Sequence, residues 1–149
     1  MIVNSAFTVP APGAEVWAYL LDVQRVARCL PGAELTEVVD AQNFKGRVKV
    51  KLGAMDLSFA GTVTVVEMDD AGGRAVMKAS GREERGKGQA QATVTATVTE
   101  GDAGTDIRIV QDIQMSGPVA QFGRGLIEDV AGTLIQQFAA CMKQELSRR

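Results

Sequence analysis

From Glu34 to Ser116 apolar and polar residues alternate with little interruption. Side chains of a strand point alternately to opposite faces, so a period of two marks strands with one dry face and one wet face. The pattern predicts six strands, at 34–40, 42–52, 55–68, 74–84, 87–99 and 105–116. The segments "LGAM", "DDAGG", "RGKG" and "EGDAGT" separate most of them. Glycine and aspartate suit tight hairpin turns, so the strands are expected to form an antiparallel meander. Upstream, "VNSAFTV" (3–9) predicts a first strand, ended by Pro10 and Pro12. The period then becomes helical. Val16, Trp17, Leu20 and Leu21 place a helix over 12–22, with Pro12 in its first turn. Asp22 is positioned to cap a second short helix, "VQRVARCL", stopped by Pro31 and Gly32.

The helical period returns near the end. It predicts a long helix over 118–146, with Pro118 at its start and Ser116 as a cap. Phe122, Leu126, Val130, Leu134, Phe138 and Met142 form an apolar stripe at steps of four. Ile127, Ala131 and Ile135 widen it. Gly123, Gly125 and Gly132 interrupt this helix, each at about 1 kcal/mol relative to alanine. Either something approaches the backbone there, or the helix is free to bend. The whole chain, 1–149, reads as a single α+β domain. A curved antiparallel sheet of about seven strands wrapped around the long C-terminal helix buries both amphipathic elements.

The apolar parity of the strands defines an inner face. It holds Phe44, Met55, Leu57, Phe59, Met77 and Met115 among larger residues, and Ala90, Ala92 and Ala96 on one unusually small strand. Gly46 and Gly61 remove further volume. Interiors pack near crystal density, so such a face means either close approach of the helix or a remaining cavity. A cavity lined by Met55, Leu57, Phe59, Met77, Met115, Phe122 and Leu126 would be apolar and adaptable, suited to a hydrophobic small molecule. Gln111 is the polar exception on this parity. It either reaches a ligand carbonyl or is turned outward by a bulge.

Composition removes several classes of function. Hydrophobic residues are 46% and charged residues 23% of 149, as in ordinary globular proteins. There is no histidine, which removes the commonest general base and the His-based metal sites. Cys29 and Cys141 have no metal-ligand spacing. A disulfide is permitted, and two buried free thiols are the expectation. Net charge is −2, and aromatic residues are only 5%. The basic row Lys45, Arg47, Lys49 and Lys51 therefore reads as the solvated outer face of a strand, not a nucleic-acid surface. Anionic lipid headgroups or an acidic partner are its functional alternatives. Glu67 and Glu83 share the inner parity but lie at strand ends, where solvent is the expected neighbour. The N-terminus lacks the basic and long apolar regions of a signal peptide, and no run is long enough to span a membrane. The expected compartment is the cytoplasm.

Four stretches carry a family resemblance: "VPAPGAEVWAYLLDVQRVARCLPGAE", "FKGRVKVKLGAMDLSFAGTVTVVEMDD", "ASGREERGKGQAQATVTATV" and "MSGPVAQFGRGLI". With the element order, they resemble the helix-grip, START-like (SRPBCC) superfamily, and within it the carbon monoxide dehydrogenase CoxG family. The resemblance implies a hydrophobic cavity between sheet and long helix, and a non-catalytic role. It implies a protein that binds a hydrophobic ligand, a quinone, and links a molybdenum-containing carbon monoxide dehydrogenase-type enzyme to the inner face of the cytoplasmic membrane. No other cofactor is implied. Carried onto this chain, it puts Gly117, Pro118, Gln121, Phe122, Gly123 and Arg124 at the cavity mouth. With the inner face, the expected ligand-binding set is Phe44, Met55, Leu57, Phe59, Met77, Ala92, Ala96, Gln111, Met115, Gln121, Phe122, Arg124 and Leu126. The chain departs from the family at its end. Many members continue in a tail that engages the membrane, whereas this sequence stops at "ELSRR". Two other readings stand beside the carrier. One is a START-like cyclase or hydrolase acting on an aromatic or lipid substrate, for which the face offers few polar groups. The other is a ligand-free docking protein.

Overall fold

The computed structural model describes residues 1–147. In chain order the elements are β1 (Ile2–Val9), α1 (Gly13–Leu21), α2 (Val23–Cys29), β2 (Ala33–Val38), β3 (Asn43–Leu52), β4 (Met55–Asp69), β5 (Arg74–Glu83), β6 (Gln89–Gly101) and β7 (Gly104–Ser116). A 3₁₀ turn (Pro118–Phe122) and α3 (Arg124–Ser147) follow. The seven strands form one antiparallel sheet, ordered β1-β7-β6-β5-β4-β3-β2. The meander is continuous from β2 to β7, and β1 adds to the far edge beside β7. The closing Arg148 and Arg149 lie outside the described residues.

Local chemistry accounts for the boundaries. Asp22 caps α2 by accepting from the Arg25 backbone N–H at 3.2 Å. In the β2–β3 turn, Asp40 accepts from the backbone N–H groups of Gln42 and Asn43 at 2.8 and 2.9 Å. Those bonds, the Gln42 one foremost, hold its carboxyl below the usual range. Glycines Gly46, Gly61 and Gly81 fall opposite one another on β3, β4 and β5. A Cβ on Gly61 would collide with the Ser80 carbonyl. The strands therefore approach tightly along this glycine row.

The last helix differs from the sequence expectation in two ways. Gly117 and Gly123 adopt φ of 83° and 87°, a region that L side chains avoid. They isolate 118–122 as its own turn, so α3 starts at Arg124, and Gly117 takes the cap position expected of Ser116. The buried stripe of α3 also runs differently. It comprises Ile127, Ala131, Ile135, Phe138, Ala139, Met142 and Leu146, while Leu126, Val130 and Leu134 are only half-buried. A helix turns 3.6 residues at a time, so a row at strict steps of four slides off the packed face.

Two packed cores hold α3 to the sheet. One joins Ile135, Phe138 and Met142 to Val9, Val16 and Ile107. The other joins Ile127 and Ala131 to Val3, Leu52, Leu57 and Ile113. The cysteines are not free thiols. Cys29 at the end of α2 and Cys141 on α3 form a disulfide, with Cα atoms 5.4 Å apart. Tyr19 is fully buried beside it, and its hydroxyl donates to Cys29 Sγ at 2.8 Å. Burial foremost, and then the Glu145 carboxylate, push the Tyr19 phenol pKa upward.

The basic row lies on the outer parity of β3, as expected. Arg47 bonds Glu84 at 2.6 Å and faces Glu34 at 3.9 Å; Lys45 faces Glu37 at 3.9 Å. Glu67 lies in solvent, as expected of a strand end, and pairs with Arg74 at 2.6 Å. A bulge between Val65 and Glu67 shifts the parity of β4 there.

Candidate functional site

The strand registers set the inner face out as cross-strand rows. One row runs Phe44–Val63–Ala79–Ala92–Ile113 from β3 to β7. The next runs Val65–Met77–Val94–Gln111–Val3 from β4 through β7 to β1. At the β1 and β7 side, these rows are packed into the two cores under α3. Toward β5, β4 and β3 the packing stops. Val63, Val65, Met77 and Ala79 belong to neither core and are half-buried. On this side the inner face of the sheet is therefore an apolar, half-exposed hollow that belongs to neither core.

Two grooves lie elsewhere on the β2 and β3 side of the molecule. One, of about 370 Å³, lies between α3 and β3 and is lined by Pro31, Gly32, Val50, Val130 and Leu134, with Lys49 and Lys51 on its rim. The other, of about 470 Å³, lies between α2 and β2, with Ala27, Arg28, Ala33, Leu35 and Val38 along it. Both volumes fall in the range of small-molecule sites. The half-buried side of the α3 stripe faces the first groove through Val130 and Leu134. A Cβ on Gly132 or Gly125 would meet nothing within 4 Å. No neighbour approaches the helix backbone at these glycines. Gly125 is exposed to solvent, whereas Gly46 and Gly61 in the sheet mark contact between strands.

The expected site residues divide into three groups. Met77, Ala92, Ala96 and Gln111 lie half-buried on the inner face, with Phe44 buried at the end of its row. Met55, Phe59, Met115, Phe122 and Leu126 pack against the core around Ile127, and Leu57 is fully inside it at 2% exposure. Gln121 and Arg124 project to solvent, and Arg124 faces Glu128 at 3.7 Å. No bulge turns Gln111 outward, since β7 keeps register with both β1 and β6 around it. Its Nε2 is buried and has no hydrogen-bond partner among the described residues. Val63, Val65, Val130 and Leu134 were absent from the expected set. The first two were legible from strand parity. The other two required knowing which side of α3 packs.

Glu83 is the one carboxylate drawn inside, where solvent was the expectation. It sits opposite Phe59 on the inner face with its side chain fully covered. Its oxygens accept from the backbone N–H groups of Ser58 at 3.0 Å, Arg85 at 2.9 Å and Lys87 at 3.2 Å. The Ser58 bond foremost, with those of Arg85 and Lys87, holds its pKa below the usual carboxylate range. A general acid needs the opposite shift. Glu83 is thus the organiser of the β5–β6 turn. That turn in turn holds the 3₁₀ segment, because Val119 N–H donates to the Lys87 carbonyl at 2.9 Å.

A curved antiparallel sheet gripping a long C-terminal helix over an apolar inner face defines a START-like protein. The structure superposes on a START superfamily protein from Mycobacterium smegmatis with a TM-score of 0.67 at 13% identity, covering 99% of this chain and 97% of that one. The chain belongs to the carbon monoxide dehydrogenase CoxG family, whose model matches residues 6–147. A conserved protein from Geobacillus kaustophilus shares the fold at a TM-score of 0.88 and 20% identity, over 99% of this chain and 96% of that one. The ZhuI aromatase/cyclase from Streptomyces sp. R1128 does so at 0.72 and 18%, over 100% and 94%. No curated protein sequence matches the chain.

Proposed function

We propose that this protein is a non-catalytic carrier of a hydrophobic small molecule, a quinone, serving a molybdenum-containing carbon monoxide dehydrogenase-type enzyme. The observation that carries the reading is the hollow itself. Val63, Val65, Met77 and Ala79 form a continuous apolar surface that joins neither core. At about 25 cal/mol per Å² of apolar area buried, a ligand covering a few hundred Å² there gains several kcal/mol before its ordering costs. Family membership supplies the partner enzyme. The chemistry of the face supports carriage over catalysis: there is no histidine, and the buried carboxylate is committed to three backbone donors.

Contact with the inner face of the cytoplasmic membrane belongs to the same proposal. Among the described residues no helix is long and apolar enough to cross a membrane. Helix-mediated contact would therefore be peripheral, with Lys49 and Lys51 beside the groove of α3 and β3 as the cations nearest a loading path.

Ala92→Leu and Ala96→Phe add volume to the inner face without adding polarity. Titration with a short-tailed quinone should show wild-type binding and at least tenfold weaker binding by either variant, with thermal unfolding still cooperative. Undiminished binding by both variants would move the ligand off this face.

A further inference from the structure

Among the described residues, Gln111 carries the one buried side-chain polar atom without a hydrogen-bond partner. It sits mid-strand on β7, between Ile109 of one core and Ile113 of the other. Its neighbours across the sheet are Val3 on β1 and Val94 on β6. Every side of it on the sheet is aliphatic, and its buried Nε2 finds no acceptor among the described residues. A buried donor left unpaired is costly, and leucine or methionine would fill the same space without that cost. Thr105, a fully buried polar residue, satisfies the rule: its hydroxyl donates to the Ala11 carbonyl at 2.6 Å.

The register places Gln111 in an apolar row. Its row continues through Val94 and Met77 to Val65, three strands away. At about 4.8 Å per strand spacing, that path is about 14 Å long and wholly apolar. It begins at the seam between the cores, passes Val94, which packs against the core around Ile107, and ends beyond both cores at Met77 and Val65.

We infer that Gln111 donates to a carbonyl oxygen on the ligand, so that the ligand enters polar head first and lays its apolar tail along Val94, Met77 and Val65. The inference rests on the carrier reading above and adds the ligand's required chemistry and its orientation. The ligand must carry an acceptor at one end of an apolar body. A pure hydrocarbon of the same shape leaves the amide unpaired and is rejected.

The test compares 2-decyl-1,4-naphthoquinone with 2-decylnaphthalene, which differ in the two carbonyl oxygens. Each displaces a bound apolar fluorophore from the full chain. Wild type should prefer the naphthoquinone by about tenfold, the effect of one buried donor satisfied or left unpaired. Gln111→Leu should abolish the preference by weakening naphthoquinone binding, while hydrocarbon binding stays the same or tightens. Gln111→Met serves the same comparison if the leucine variant folds poorly. Equal wild-type affinity for both probes, or a preference retained in the variants, overturns the role of Gln111 and leaves the apolar carrier standing. Failure of wild type to bind either probe overturns both. A shortened tail gives a separate check on orientation. Met77→Ala should weaken the decyl compound but leave 2-methyl-1,4-naphthoquinone unaffected; an equal loss for both would reverse the assigned direction.

Discussion

At Glu83 three backbone N–H groups converge on one carboxylate, and the consequence is a specific dependence on pH. The folded pKa of Glu83 is depressed, chiefly by the Ser58 bond. Its stabilisation is therefore complete above the unfolded carboxylate value of about 4.3 and is lost as pH falls through the lower folded value. Glu83→Gln keeps the shape but not the charge. The variant should melt below wild type at pH 7, and the gap should shrink as pH is lowered from about 5 toward about 2.5. Parallel melting curves across that range would show that the carboxylate charge does not hold the turn. The residue scale is also where sequence reading was weakest. Parity put Glu83 and Glu67 on the same face, yet one is buried and the other exposed. A bulge turned Glu67 outward, and a turn of backbone donors drew Glu83 in. Neither leaves a mark in hydrophobic periodicity.

Among the elements, α2 and α3 are linked by more than packing. The Cys29–Cys141 disulfide closes a separation of 112 residues and ties the wall of one groove to the helix lining the other. Cross-links of that span stabilise mainly by restricting the unfolded chain, typically by about 2–4 kcal/mol. Reduction with a dithiol, or Cys141→Ser, should lower the unfolding free energy by about that amount in urea titrations. An unchanged midpoint would mean that the two helices gain nothing from the link. The strands were legible in the sequence because alternation and turn residues agree along the meander. The long helix was legible in its existence and its C-terminal end, but not in its start or its phase. Leu126, Val130 and Leu134 are as apolar as the packed residues, and only the contacts of Ile127, Ala131 and Ile135 decide which row faces the sheet. The disulfide was not legible, because two cysteines with no special spacing do not reveal whether they pair.

For the molecule as a whole, the useful feature is a mismatch between sheet and helix. Seven strands make a broad inner face, and one helix with two cores covers only part of it. The small residues of β6 had two explanations in the sequence, close approach or cavity. The rows of β4 and β5 that join neither core favour the second. Position on the inner face was readable for Met77, Ala92 and Gln111 from strand parity. It was not readable for Gln121 and Arg124, which reached the expected set only through family likeness and lie in solvent. The central claim is that the hollow carries a hydrophobic ligand, and native mass spectrometry with organic extraction tests it most directly. The protein would be purified gently from its own organism and then offered added quinone. The account predicts a co-purifying isoprenoid quinone at up to one per chain. A protein that is empty as isolated and remains empty with added quinone would contradict it, and would leave a docking protein with an uneven core.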